Sequence, residues 1–428
     1  MTARTPVTLL LAALAAALGP MAACGGVAAS GGTSDAGEDG PVSADVFVLP
    51  LADAAEERAT DAGLADSAPA MEAGPFTEAP HSGPVVTANG GPVLASPLLV
   101  TVTYADDMNR ATEEALGAFM VKSSWLATVG KEYGVGNGTS ANVELTQTSP
   151  VTIDDSTIQS QLASLIADGT APDPRADGGA ESAGAVYMFY FPTTTAVTID
   201  GSTLCDISGG GYHYESEVNA NGHSFAYAVV SPCQGLPAPP PENIVWAASH
   251  ELIEAATDPY FLSAPGYVLL DETQAWSSIG GEVGDLCTYL LPQWSEGPYT
   301  FLQRVYSNAS VAAGGDPCIP STGPFFGTDV EPQTFVAVPA GKSTTFQVKG
   351  WSTAEVGPWS ISAASAPLEG TATASTSLVA STLENGQTTT LTVEVPPGTA
   401  SQTYFDVFVT SEGTGDAYTT ALGGVYVP

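Results

Sequence analysis

The sequence predicts an α+β domain followed by an all-β sandwich, and three features of the chain support this prediction. From residue 83 to about 322, runs with helical and with strand-like apolar spacing alternate. From about residue 323 onward, only short alternating runs remain, separated by Gly, Pro and Asn. Residues 24–82 are rich in small and acidic residues and lack sustained apolar periodicity, which is typical of a disordered tether. We therefore expect a signal peptide, a tether, an α+β domain and a sandwich, over residues 1–23, 24–82, 83–322 and 323–428.

The first residues resemble a bacterial export signal. Arg4 supplies positive charge, and Val7 to Leu18 form an apolar run that is shorter than the roughly 20 residues a membrane-spanning helix needs. The following Met-Ala-Ala-Cys, which ends at Cys24, resembles a lipobox, although Met is less usual than Leu at its first position. We expect export and anchoring in a membrane of the cell envelope (the outer membrane or cell surface) through acyl chains on Cys24, with plain secretion as the alternative.

The charge of the chain restricts its partners. It contains 46 acidic and 9 basic residues, a formal net charge of −37. Nucleic acids and anionic membrane surfaces bind cationic protein surfaces, so this composition argues against a nucleic-acid partner. The acidic excess favours solubility in an extracellular medium and does not by itself identify a cation site.

Four cysteines follow Cys24, and an even number in an exported chain indicates two disulfides. Three connectivities are possible. Pairing of neighbours, Cys205–Cys233 and Cys287–Cys318, closes two loops of about 30 residues, each contributing roughly 3–4 kcal/mol in the loop-entropy model. We expect this neighbour pairing.

Apolar spacing predicts the main elements of the α+β domain. Three helices are predicted where apolar residues recur at helical intervals, over residues 112–133, 154–167 and 244–257. Three buried strands are predicted where β-branched and aromatic residues are dense, over residues 98–104, 185–191 and 225–231.

The C-terminal segment predicts a β-sandwich of about 100 residues. Its strands are expected at residues 334–338, 343–348, 388–395 and 404–410. The runs VPAGKSTTFQV and ENGQTTTLTVEVPPGT resemble the bacterial immunoglobulin-like modules appended to secreted proteins. The simplest role of such a module is that of a spacer or stabiliser, and binding of carbohydrate or protein is an alternative that no residue selects.

The third predicted helix contains His250-Glu251-Leu252-Ile253-Glu254. On a helix, side chains at i and i+4 share a face, so His250 and Glu254 can hold one metal ion, as the two histidines of H-E-x-x-H do. Glu251 then lies beside the ion, where its carboxylate can take a proton from metal-activated water. The departure from H-E-x-x-H is Glu254, because an anionic ligand lowers the Lewis acidity of the ion and weakens the preference for zinc.

Several segments together resemble a known family. HELIEAATDP, GGEVGDLC and RVYSN, closed by Cys318, resemble a group of secreted bacterial proteins that is similar to the plant EXORDIUM (phosphate-induced) family. GGPVLASP, DDSTIQSQL, GGGYHY and YAVVSPC extend the match upstream, so that it covers about residues 83–320. The resemblance implies a zincin-like fold, a mixed sheet with the active-site helix, and kinship with zinc metallopeptidases.

A zincin-like site needs a third protein ligand from outside the helix. By analogy with glutamate-type zincins, Glu282 or Asp285 of GGEVGDLC fits this role, and His213 of GGGYHY is the other candidate. Tyr306 or Tyr267 is a candidate for hydrogen bonding to an oxyanion. The expected cofactor is Zn²⁺, and Ca²⁺ is an alternative because carboxylates surround the motif.

These features predict an exported, lipid-anchored zinc metalloendopeptidase-like hydrolase with Glu251 as general base. Its substrate is expected to be a peptide or a cell-surface polymer. One alternative is a non-catalytic, EXORDIUM-like cell-surface binding protein, in which His250 and Glu251 form an inert buried pair. Another is a structural site for calcium or a different divalent ion. Metal content and the activity of Glu251→Gln distinguish these hypotheses.

Overall fold

The computed structural model describes residues 76–175, 184–199, 201–207, 210–233, 241–368 and 370–428. The predicted signal peptide, the predicted lipidation site Cys24 and most of the predicted tether lie outside these residues. The described end of the tether contacts the C-terminal domain, where the ring of His81 stacks on Trp351 with 3.6 Å between centroids. Within the described ranges, every helix is too short or too polar to cross a membrane.

The α+β domain contains fifteen strands and six α-helices among the described residues. Its strands are β1 (Thr87–Ala88), β2 (Leu98–Thr103), β3 (Thr139–Glu144), β4 (Thr152–Asp154), β5 (Ala185–Tyr190), β6 (Ala196–Ile199), β7 (Ser202–Thr203), β8 (Gly211–Glu215), β9 (Ala226–Val230), β10 (Tyr267–Val268), β11 (Leu290–Leu291), β12 (Trp294–Glu296), β13 (Tyr299–Leu302), β14 (Val305–Tyr306) and β15 (Cys318–Ile319). Its helices are α1 (Arg110–Met120), α2 (Ser124–Val129), α3 (Asp155–Ala167), α4 (Leu204–Ile207), α5 (Glu242–Thr257) and α6 (Asn308–Ala312). Two 3₁₀ helices lie at Ala275–Ile279 and Asp285–Cys287.

A five-stranded mixed sheet of order β3-β2-β5-β9-β8 forms the centre of this domain. The first four strands are parallel, and the edge strand β8 runs antiparallel to β9. Helices cover both faces, which explains why all six residues of β5 are buried. Alternate side chains of β5 enter different cores: Val186 and Met188 pack with α5, whereas Tyr187 and Phe189 pack with α3.

The three predicted strands of this sheet are confirmed to within one residue at each end. The helices predicted at 154–167 and 244–257 are also confirmed as α3 and α5. The single helix predicted over 112–133 is wrong, because the chain turns after Met120 and begins α2 at Ser124. Ser123 caps this second helix by accepting from the Leu126 N–H, which favours a new start over continuation.

The C-terminal domain consists of two packed sheets of mostly antiparallel strands. Its strands are β16 (Phe326–Glu331), β17 (Phe335–Ala337), β18 (Ser343–Ser352), β19 (Trp359–Pro367), β20 (Ser375–Leu378), β21 (Thr382–Leu383), β22 (Thr388–Glu394), β23 (Tyr404–Glu412) and β24 (Tyr418–Tyr426). One sheet has the order β16-β18-β22-β20, and the other has β24-β23-β19-β21 with β17 paired to β24. Valine, leucine and aromatic side chains from both sheets share one core, as expected for a sandwich.

The sandwich also holds the chain between residues 273 and 291 of the first domain. Strand β11 extends the second sheet by pairing with β24. The Phe335 N–H donates to the Thr273 carbonyl, and the Ala275 N–H donates to the Gln333 carbonyl, both at 2.8 Å. The C-terminal domain thereby braces the segment that contains the GGEVGDLC sequence.

Candidate metal centre

Helix α5 carries three fully buried titratable side chains, His250, Glu251 and Glu254. The helix packs against β5, β8, β9 and β13, and apolar residues occupy most of its surface, as is typical of a helix inside a core. The i, i+4 spacing brings His250 Nε2 to 3.0 Å from Glu254 Oε2, as predicted from the motif. The helix ends before Pro259, where the Asp258 N–H makes the last bond, to the Glu254 carbonyl.

Asp285 joins this pair from the segment that follows. Its Oδ1 lies 3.8 Å from His250 Nε2, and its backbone N–H donates to Glu254 Oε1 at 3.0 Å. The other oxygen, Oδ2, accepts from the Glu282 N–H, so the carboxylate is held by its own loop. The Cys287–Cys318 disulfide fixes the end of this segment.

Gln303 determines which nitrogen of His250 is available to a ligand. Its Nε2 lies 2.6 Å from the Gly284 carbonyl oxygen, and because a carbonyl only accepts, this contact is a donated N–H. Gln303 Oε1 is thereby directed at His250 Nδ1, at 2.5 Å, so Nδ1 carries the proton. In the neutral ring, Nε2 then presents its lone pair to the carboxylates. This arrangement is typical of metal-binding histidines, whose second nitrogen donates to a fixed acceptor.

The free atoms of this group fit a divalent metal ion. His250 Nε2, Glu254 Oε2 and Asp285 Oδ1 are buried and lack a hydrogen bond of acceptable geometry. One ligand atom from each of these three residues lies within 4.8 Å of the other two, which suits ligands placed about 2.0–2.2 Å from one ion. Buried polar atoms normally have partners, so three such atoms at one point require a cation or shared protons. One imidazole with two carboxylates can hold zinc or another divalent transition ion, whereas calcium prefers oxygen donors alone.

A second group of donors adjoins the first. His213, buried on the edge strand β8, places Nδ1 at 3.4 Å from Glu251 Oε2 and at 3.5 Å from Glu254 Oε2. Its Nε2 lies 3.5 Å from Glu282 Oε1. The five predicted metal-ligand candidates and the predicted base therefore meet in one buried cluster, in which Asp285 is the third member of the His250 group.

Burial and mutual charge shift the pKa values of His250, Glu254 and Asp285. Burial alone lowers the pKa of His250, but the Glu254 and Glu251 carboxylates outweigh it and raise this pKa to about 10. Burial raises the pKa of Glu254 and of Asp285, and the His250 imidazolium opposes this rise in both. In the metal-free chain the cluster therefore holds protons that a bound cation would displace, and we expect metal binding to release protons.

Sequence reasoning missed three residues that shape this centre. A Cβ on Gly284 would lie 2.6 Å from Glu254 Oε1, and a Cβ on Gly211 would lie 2.6 Å from Glu251 Oε1. Both glycines lie in glycine-rich stretches of the motifs, which was the available signal. Gln303 gave no signal, because a single glutamine in a strand-like run has many possible roles.

The Tyr306 hydroxyl, a predicted candidate for hydrogen bonding to an oxyanion, already has a partner in the structure. This hydroxyl is buried and donates to the Pro84 carbonyl at 2.6 Å, so it joins the start of the domain to β14.

Both predicted disulfides are confirmed, with Cα separations of 5.3 Å for Cys205–Cys233 and 5.8 Å for Cys287–Cys318.

Comparisons with known proteins add little to this geometry. No family model and no curated protein matches the chain. Among solved structures, the crystal structure of wild-type OgpA from Akkermansia muciniphila is 10% identical, with 78% of this chain and 93% of that chain covered at a TM-score of 0.21. A similarity of this size supports no inference about fold or activity.

Proposed function

We propose that the protein is a zinc-dependent, zincin-like hydrolase that acts on peptide bonds or a cell-surface polymer outside the cytosol. One observation carries this proposal: His250 Nε2, Glu254 Oε2 and Asp285 Oδ1 converge as buried ligand atoms, none of which has a hydrogen-bond partner. Glu251, the acidic residue that follows His250 on α5, lies in the same cluster. The two disulfides are typical of an oxidising compartment and support export, with Cys24 as the proposed lipid attachment.

Each residue has a role that follows from its position. His250, Glu254 and Asp285 would hold the ion, and Gln303 would keep the His250 ring in the ligating tautomer. A divalent ion bound there supplies Lewis acidity and lowers the pKa of a water molecule toward neutrality. Glu251 would take the proton of the attacking water on its carboxylate and pass it to the leaving group.

Access to the cluster requires a structural change. His250, Glu251, Glu254 and Asp285 each expose 0% of their surface. A catalytic ion needs an open coordination position, whereas structural ions have closed shells. Hydrolysis therefore depends on displacement of the chain that covers the cluster, such as the edge strand β8.

The complete burial favours a second candidate function, a non-catalytic surface protein whose metal ion only stabilises the domain. In that case metal binding would contribute to folding, mainly by stabilising the 273–291 segment, which contains Asp285. The two functions make the same prediction for metal content and opposite predictions for cleavage.

The test uses the purified full-length chain. We expect close to one zinc per chain, lost in Glu254→Ala, and cleavage of casein that disappears in Glu251→Gln while zinc stays bound. Glu113→Gln is the matched control, because Glu113 is a buried glutamate of helix α1, outside the cluster. Retained zinc without any cleavage in the wild type would favour the structural role. Absence of zinc from the wild type, with no uptake from solution, would exclude both.

A further inference from the structure

His213 presents both ring nitrogens to carboxylates at once. Nδ1 is hydrogen-bonded to Glu251 Oε2 at 3.4 Å and lies 3.5 Å from Glu254 Oε2, and Nε2 faces Glu282 Oε1 at 3.5 Å. A neutral imidazole has a single N–H, so one of its nitrogens turns a lone pair toward an anionic oxygen. Inside a protein this arrangement is unfavourable unless a proton or a metal ion lies between the two.

The Nδ1 side has the composition of a cation site. His213, Glu251 and Glu254 offer ligand atoms within 4.8 Å of one another, and all three residues are buried. Glu254 Oε2, which lacks a hydrogen bond, belongs to this group and to the His250 group. On the opposite side of the ring, His213 Nε2 and Glu282 Oε1 also lack hydrogen bonds although both are buried. A proton on Nε2, directed at Glu282, would leave Nδ1 free to ligate and would orient the ring.

The negative charge of the buried cluster also favours a second cation beside His213. Glu251, Glu254, Glu282 and Asp285 are all buried, and within the described residues the ion pairs of the last three are with His213 and His250. Buried charge is tolerated only when it is compensated, so this density of carboxylates favours cations or shared protons at both imidazoles.

From this geometry we infer a second, inhibitory zinc site, formed by His213 Nδ1, Glu251 Oε2 and Glu254 Oε2 and oriented by Glu282. The inference rests on the proposed function, because the second ion turns Glu251 from a base into a ligand. It shares Glu254 with the first ion, so it binds more weakly. Hydrolysis is then active with one zinc and suppressed when free zinc rises enough to fill both positions.

The test is a zinc titration of the metal-free full-length chain by equilibrium dialysis, with bound metal counted by mass spectrometry. We expect two zinc ions per wild-type chain in excess zinc and one at low free zinc. His213→Gln should bind one at every concentration, and Glu282→Gln should weaken the second site about 10- to 100-fold. His223→Gln is the matched control, since His223 lies in the β8–β9 connection, contacts Asp173, and should leave both sites intact.

The outcomes separate this inference from the proposed function. A wild type that binds one zinc at all concentrations overturns the second site, as does a His213→Gln chain that still binds two, and neither result affects the first site. Binding of no zinc by the wild type overturns both. One retained zinc in His213→Gln also shows that this variant is folded. In parallel, casein cleavage by the wild type should fall at least tenfold as the second zinc binds.

Discussion

Gln303→Ala removes the acceptor that fixes the tautomer of His250 without touching any proposed ligand. In the structure Gln303 Oε1 accepts from His250 Nδ1 at 2.5 Å, and its Nε2 donates to Gly284 at 2.6 Å. Loss of such an outer partner typically weakens metal binding 10- to 100-fold, or about 1.4–2.8 kcal/mol. We therefore expect the dissociation constant for zinc to rise by one to two orders of magnitude.

A stability loss accompanies this effect and must be separated from it. The substitution leaves the buried His250 Nδ1–H without a partner, which costs about 1–3 kcal/mol. It also removes one bond to the Gly284 carbonyl, which keeps the Cys287 N–H at 3.0 Å. Gln293→Ala provides the control, because Gln293 is also buried, donates to the Leu290 carbonyl and accepts from the Arg304 N–H. It makes the same two kinds of bonds without contact to His250.

The assay is competition for zinc with a chromophoric chelator, run beside urea unfolding of the metal-free forms. We expect both variants to lose stability and only Gln303→Ala to lose zinc affinity. Equal affinity losses in the two variants would show that the effect is general destabilisation. Unchanged affinity in Gln303→Ala would refute the assignment of His250 Nε2 as a ligand oriented by Gln303.

Three further predictions concern packing, charge and the ion itself. Gly284→Ala should prevent zinc binding and destabilise the chain by about 1–3 kcal/mol in urea unfolding, because its Cβ would lie 2.6 Å from Glu254 Oε1. The control is Gly357→Ala, which has open space around it and should change stability by less than about 0.5 kcal/mol. Burial raises the pKa of Asp406 to about 7, and the hydrogen bond from Ser278 opposes this rise, so the contribution of Asp406 to stability is complete below about pH 4 and is lost as pH rises through 7. Asp406→Asn should therefore be similar to the wild type in stability at pH 4 and more stable at pH 8, by at most about 4 kcal/mol in urea unfolding. Equal stabilities at pH 8 would contradict this prediction. When free zinc is present at 100 times its dissociation constant, its removal by EDTA should lower the free energy of unfolding by about 2.7 kcal/mol. Thermal denaturation with and without EDTA measures this effect. An unchanged melting temperature would contradict zinc binding by the native state.

Local signals in the sequence determined much of the fold. Buried strands such as Ala185–Tyr190 have dense β-branched and aromatic residues, and α5 has continuous apolar spacing with Pro259 at its end, so their class follows from short-range chemistry. The spacing of His250 and Glu254 likewise fixed their shared face, because one helical turn separates them. The neighbour pairing of the cysteines followed from loop length.

Only the tertiary structure decided which distant residues join that face. Asp285, Glu282 and His213 were equal candidates in the sequence, since nothing local states how a later loop or an edge strand will pack on a helix. Their placement depends on the pairing of β8 with β9 and on the sandwich that braces residues 273–291. The role of Gln303 was invisible for the same reason, because it lies 53 positions from His250. The break after Met120 has a local part, the Ser123 cap, and a distant part, since Glu296 accepts from the first N–H groups of α2.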